Sequence, residues 1–194
     1  MLKERPLSLF ILIFIIALFL SYHVYYYCLN KYQDKQVTDY ISENSLKDDY
    51  KISSDEKYLG VLSIPKLSFQ KGFYQIDSLK NDVNQNIQVL SSSEMPNVKG
   101  SSLILAAHIG KSYLGYFNNL DKLVINDIVD IYYQDKQYQY EVFNIEEIPK
   151  TGYLSFNKNV HENYLILTTC SKKKDYQLVI MAKLIKEEAS NINY

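Results

Sequence analysis

The sequence predicts a mainly β domain, an antiparallel barrel or sandwich, carried behind one membrane-spanning helix. Three observations predict it. Beyond residue 58 the apolar residues fall in short runs separated by turn residues, which is the pattern of strands rather than of long helices. The chain has 19 Tyr and 8 Phe but no Trp, and tyrosine suits half-buried strands because its ring packs while its hydroxyl reaches water. The stretch "LSLFILIFIIALFLSYHVYYY", Leu7 to Tyr27, holds no acid, lysine or arginine and is long enough to cross a hydrocarbon core of about 30 Å as a helix.

The elements follow in chain order. Residues 1–6 are a short tail and residues 7–27 the anchor. A cleaved leader would have a shorter apolar stretch followed by small residues, whereas Tyr25, Tyr26 and Tyr27 form an interfacial aromatic belt. Lys3 and Arg5 ahead of the span place the tail in the cytoplasm and the rest of the chain outside, as a single-pass protein of the cell membrane. Residues 28–57 turn polar and read as a stalk, in which Leu29, Tyr32, Val37, Tyr40 and Ile41 fall near helical spacing. A partly helical spacer and a solvated linker without specific contacts both fit that composition.

The domain proper spans residues 58–186, with 187–194 as a C-terminal tail. "YLGVLSIP", "FQKGFYQI", "SSLILAAHI", "VDIYY" and "YQYEVFNIEEI" read as strands, the last two joined by a hairpin at Asp135-Lys136, and "NYLILTTC" and "YQLVIMAKL" close the domain. Only "YLGYFNNLDKL", Tyr113 to Leu123, predicts a short helix, from the spacing of Leu114, Phe117, Leu120 and Leu123. Seven or eight strands at intervals of roughly 8–15 residues point to a barrel or sandwich, and barrel closure would remove exposed edges.

A net charge of -1 and a pI near 6.3 provide no basic field, so nucleic acid is not an expected partner. Cys28 and Cys170 are the only cysteines, too few for a disulfide framework. With two cysteines and three histidines, no zinc-type ligand spacing can be assembled, and no metal or other cofactor is expected. His23 near the end of the anchor reads as an interfacial imidazole without a role.

Cys170 follows "YLILTT", so a strand would carry it to the barrel rim, exposed yet rigidly held. Nucleophilic catalysis needs the thiolate, and a free cysteine is only partly ionised at neutral pH unless a base or cation helps. Two histidines remain in the domain. His108 ends the apolar strand "SSLILAAH" and precedes a rim-like loop, "IGKSYLG", whereas His161 sits in the polar "NKNVHENY". His108 is therefore the expected partner of Cys170.

An N-terminal anchor, a strand ending in "AAHIG" followed by "YFNNLDKL", and "ILTTC" before a last strand together resemble the sortase family of cysteine transpeptidases. The resemblance runs from about Tyr58 to Leu184. "ILTTC" is similar to the family's Thr-Leu-x-Thr-Cys in Leu167, Thr169 and Cys170, with Ile166 in place of the first threonine. The resemblance implies a closed eight-stranded barrel with short helices on the outer face of a Gram-positive-type envelope. It implies cleavage of a sorting signal related to Leu-Pro-x-Thr-Gly through a thioacyl enzyme, with transfer to an amine of the cell wall or of another protein. Cys170 would be the nucleophile, His108 the general acid and base, and Thr168 and Thr169 would shape the substrate site.

The family normally supplies an arginine on the strand after the cysteine. Here the only arginine is Arg5, ahead of the anchor, and Gln177 occupies the corresponding position. Its amide can donate hydrogen bonds but carries no charge. Lys172, Lys173 and Lys174 are the other candidates for positive charge, although a lysine does not reproduce a bidentate guanidinium; a solvated loop is their plainer reading. "IPKTG", Ile148 to Gly152, looks like a sorting signal but reads as a turn, and Glu146 with Glu147 is too small a cluster to hold an ion. Three functions remain open on this reading: a transpeptidase, a hydrolase sharing its acyl-enzyme intermediate, and a sortase-fold binding or scaffolding protein that has lost turnover.

Overall fold

A computed structural model of the chain describes residues 7–44, 57–110, 115–151 and 158–189. It is mainly β. Helix α1 (Leu7–Asn44) precedes eight strands: β1 (Gly60–Ile64), β2 (Phe69–Phe73), β3 (Gln88–Val89), β4 (Ser102–Ala106), β5 (Ile128–Tyr133), β6 (Lys136–Pro149), β7 (Tyr164–Cys170) and β8 (Tyr176–Ala189). They form a single sheet in the order β2-β1-β5-β6-β8-β7-β4-β3. A parallel bridge from Phe73, the last residue of β2, to Ile87, just before β3, nearly closes that sheet into a barrel. All neighbouring strands pair antiparallel except β4 with β7.

Alternation along the strands builds the core. Leu103 and Leu105 of β4, Leu165 and Leu167 of β7, and Ile180 and Ala182 of β8 face the barrel interior with Phe73, Ile131, Tyr138 and Tyr140. Ile104, Ile166, Val179 and Met181, at the intervening positions, form a second cluster with Ile148 on the opposite face of the same strands. Successive side chains of a strand point to opposite faces, so this division follows from the sequence once the register is known.

Four local expectations are refined. The predicted helix over 113–123 is a turn followed by a 3-10 helix, Pro-free, at Leu120–Lys122, with Tyr113 and Leu114 outside the described residues. Phe117, Leu120 and Leu123 are all buried; their spacing of three matches 3-10 geometry better than the 3.6 of an α-helix. The β5–β6 hairpin turns at Gln134-Asp135, one residue earlier than expected, with Gln134 at φ 55. The strand that sequence patterning did not single out is β3, whose two residues are too few to show a period. Ile148 and Pro149 of "IPKTG" are the last residues of β6, not of a turn, and Gly152 lies outside the described residues.

Helix α1 does not stop at the end of the apolar run. It continues to Asn44, and Val37, Tyr40 and Ile41 bury themselves against Tyr58, Val61 and Tyr74. The Tyr40 hydroxyl donates to the Leu59 carbonyl at 2.7 Å, and Lys71 of β2 pairs with Asp34 at 2.9 Å. Gly72 permits the packing beneath: a Cβ there would lie 2.2 Å from the Tyr58 ring. Residues 29–44 are thus a docked helix, and the near-helical spacing of Val37, Tyr40 and Ile41 marks its buried stripe.

Candidate active site

Strands β4 and β7 run parallel, with Ser102 opposite Tyr164 and Ala106 opposite Thr168. Parallel neighbours end at the same end of a sheet, so the residues that follow Ala106 emerge beside the end of β7. The ladder runs on past β4: the Ala107 N–H donates to the Thr168 carbonyl at 3.3 Å, and the Thr169 hydroxyl donates to the Ala107 carbonyl at 2.6 Å. His108 is the next residue. It stands level with Cys170, and Cys170 in turn is paired with Gln177 of β8.

Parity places the three on one face. Ile104, Ala106 and His108 alternate with the core residues of β4, as Ile166, Thr168 and Cys170 do on β7, and as Gln177, Val179 and Met181 do on β8. Adjacent strands lie about 4.8 Å apart, so the thiol and the amide occupy successive strands at one rim, and the imidazole follows the end of the next strand, β4. His161 is excluded from this group. It precedes the seven-residue β7, roughly 20 Å from Cys170 at about 3.3 Å per residue, and lines an open pocket of ≈ 470 Å³ with Lys99, Glu162 and Lys183.

Cys170 is a half-buried free thiol. It borders a cleft of ≈ 90 Å³ with Ile109, Phe117, Asn118, Asp121, Glu147 and Lys172. His108 and Gln177 do not line that cleft; both are half-buried. The His108 carbonyl accepts from the Phe117 N–H at 3.2 Å, and its Nε2 lies 3.4 Å from Oδ1 of Asn84. The Gln177 amide has no hydrogen-bond partner among the described residues, which leaves its donors free.

The two threonines differ. Thr168 shares the face of Cys170, but its hydroxyl donates to the Leu178 carbonyl at 3.3 Å. Thr169 points to the interior, 6% exposed, and its bond to Ala107 couples the histidine-bearing chain to the cysteine-bearing strand. Around the cleft the lysine loop is engaged: Lys172 pairs with Asp121, whose carboxyl the lysine's hydrogen bond holds below the usual range. Lys173 stacks on Tyr176 at 3.5 Å from the ring centre, and Ser171 donates to Glu147. The nearest lysine charge is thus already compensated.

Sequence reasoning did not reach Asn84. It sits in "NDVNQN", residues 81–86, a polar stretch with no apolar period and therefore no pattern to place it.

Comparison with known proteins gives the chain a lineage. No curated protein sequence matches the chain. Its structure is similar to that of sortase C from Streptococcus pneumoniae, with 17% identity over 82% of this chain and 90% of that one and a TM-score of 0.62. It is likewise similar to a sortase D5 transpeptidase from Clostridium perfringens, with 19% identity, coverage of 79% and 98%, and a TM-score of 0.63. Sortase C1 of Streptococcus suis matches at 22% identity, 66% and 73% coverage, and a TM-score of 0.60. These likenesses establish the fold. The sequence model of the Sortase domain matches residues 62–185, from β1 through most of β8, and on that match the chain belongs to the sortase family.

Proposed function

We propose that the protein is a membrane-anchored cysteine transpeptidase, acting on secreted proteins that carry a sorting signal related to Leu-Pro-x-Thr-Gly. Cys170 gives its thiol proton to His108 and attacks the carbonyl of the signal's threonine, and the peptide C–N bond breaks as His108 passes that proton to the departing amine. A thioacyl enzyme results. An incoming amine, from a cell-wall precursor or a protein lysine, then attacks the thioester carbon and gives its proton to His108 as the C–S bond breaks. Gln177 donates to the oxyanion that develops in each half-reaction, in the place where the family carries arginine. Thr168 and Thr169 contribute to the substrate site indirectly, through the backbone they tie together.

The observation that supports this reading is the parallel pairing of β4 and β7, because the chain leaving β4 carries His108, two residues beyond its end, toward the end of β7 where Cys170 lies. The anchor supports it as well: α1 is long and apolar enough to cross a bilayer, and the proposed orientation puts the short N-terminal tail in the cytoplasm and the barrel outside. Mass spectrometry after incubation with sorting-signal peptides tests the chemistry. A thioacyl adduct on Cys170 is expected, lost in Cys170→Ala and in His108→Ala and retained in Cys28→Ala; cleavage by Cys170→Ala would refute the mechanism.

The absence of arginine between residues 57 and 189 favours a second reading, a sortase-fold binding or scaffolding protein. The same experiment separates the two. Reversible peptide binding with no adduct would establish the second, and product analysis with and without an added amine distinguishes transfer from hydrolysis.

A further inference from the structure

The β2–β3 connection is built to present one side chain to His108. Asn81, 9% exposed, pegs its base: the Asn81 amide donates to the carbonyls of Ile76 at 3.2 Å and Val89 at 2.9 Å, and its Oδ1 accepts from the Val89 N–H at 2.6 Å. Asp82 then closes a tight turn, its carbonyl accepting from the N–H groups of Gln85 and Asn86 at 2.9 and 2.8 Å. At the tip, Oδ1 of Asp82 accepts from both the backbone N–H and the side-chain Nδ2 of Asn84, each at 2.9 Å. These bonds hold the Asp82 carboxyl below the ordinary carboxylate range, the Asn84 backbone N–H contributing most.

Those contacts determine which end of the Asn84 amide faces the histidine. An ionised carboxylate can only accept, so Asn84 must turn its NH2 toward Asp82. Its Oδ1 is left pointing at His108, 3.4 Å from Nε2. An acceptor there selects the ring tautomer that carries its proton on Nε2.

We propose that Asn84 is a positioning residue for the transpeptidation, holding His108 as the Nε2–H tautomer so that Nδ1 is the atom that exchanges protons with the substrate amines. The inference rests on the reading of His108 as the acid and base. In the first half-reaction the Nδ1 lone pair takes the proton of the attacking Cys170 thiol and passes it to the departing amine as the C–N bond breaks; in the second, Nδ1 takes a proton from the incoming amine and returns it to the sulfur as the C–S bond breaks. Through both, Nε2–H remains bonded to Asn84, which limits rotation of the ring. A Cys–His–Asn arrangement serves the same purpose in unrelated cysteine proteases. A long contact in a substrate-free site tightens when the reacting complex forms.

Asn84 is exposed, so its replacement does not threaten folding. The test uses the full-length protein in detergent micelles with 15N in its imidazole rings. Long-range 1H–15N spectra at mildly alkaline pH, with His108 assigned by its loss in His108→Ala, should show the Nε2–H form in the native protein. Asn84→Leu should introduce an Nδ1–H population and lower kcat by about tenfold with KM within about twofold, a fraction of the whole acid–base contribution. A native Nδ1–H tautomer, or an Asn84→Leu variant with unchanged tautomer, would overturn the proposal whatever its activity. The spectra need no turnover, so inactivity of the native chain, or full activity of His108→Ala, would count against the catalytic reading and not be confused with this one.

Discussion

At the residue scale, the proposed oxyanion donor is Gln177. Its Cα register with Cys170 puts an uncharged donor one strand away from the thiol. Removing one donor from an oxyanion site costs about 3–4 kcal/mol where such sites have been dissected, so Gln177→Ala should slow single-turnover thioacyl formation by about 10²-fold. Stopped-time mass spectrometry of the adduct measures it. An unchanged rate would mean that the oxyanion donor lies elsewhere. Lys172 is a poor replacement, because Asp121 already neutralises it. The two cysteines differ in place: Cys170 ends β7 at a cleft, whereas Cys28 lies exposed on α1.

At the element scale, two junctions decide what the rim can do. The β4–β7 ladder continues through Ala107 and the buried Thr169 hydroxyl, which ties the backbone just ahead of His108 to the residue preceding Cys170. The second junction is α1 against β1 and β2. Its Gln33 amide also reaches the Tyr116 hydroxyl at 3.4 Å, and that hydroxyl donates to the Gln85 carbonyl at 3.4 Å, next to Asn84. Docking of the helix therefore supports the loops on both sides of His108. Val37, Tyr40 and Ile41 bury apolar surface worth about 1.5–3 kcal/mol each when fully covered, offset in part by the ordering of the helix. A chain beginning at residue 29 should accordingly melt about 5–10 °C above one beginning at residue 45, as read by scanning calorimetry. Equal melting temperatures would show that the docked helix contributes nothing to the barrel.

At the scale of the whole molecule, a helix of 38 residues is about 57 Å long at 1.5 Å per residue, nearly twice the hydrocarbon thickness of about 30 Å. The excess is the docked segment, so the barrel is carried on the anchor itself. The barrel also contains a buried acid. Asp130, 5% exposed, accepts from Gln139 at 3.4 Å, and desolvation raises its carboxyl above the ordinary 3.8. An acid whose folded value is raised favours the folded state most when neutral in both states, and that advantage is lost as pH rises past 3.8 and through the folded value. Asp130→Asn should therefore raise Tm at pH 7, with the gain shrinking as pH falls toward 3.8. A gain independent of pH would assign it to something other than charge.

Much of this architecture was legible in the sequence because it depends on local periodicity. The uncharged run from Leu7 to Tyr27 marks the apolar length of α1, the short apolar runs "YLILTTC" and "SLILA" mark buried strands, and the thiol and the imidazole lie at or just beyond their ends. Less was legible where contacts are distant in sequence. The two residues of β3 have no period, the docking of Val37, Tyr40 and Ile41 depends on Tyr58 and Tyr74 beyond an intervening stretch, and Asn84 acquires meaning only from His108, 24 positions away.

By itself, then, the chain's order of residues determined a start long and apolar enough to cross a bilayer, a tyrosine-rich β domain, and the residue types at its strand ends. Tertiary structure alone decided that β4 and β7 lie side by side and parallel, that Gln177 stands across from the sulfur, and that an asparagine faces the ring. The reason is physical: side-chain alternation is fixed within a single strand, whereas register and neighbour choice are fixed by how all eight strands bury a common core.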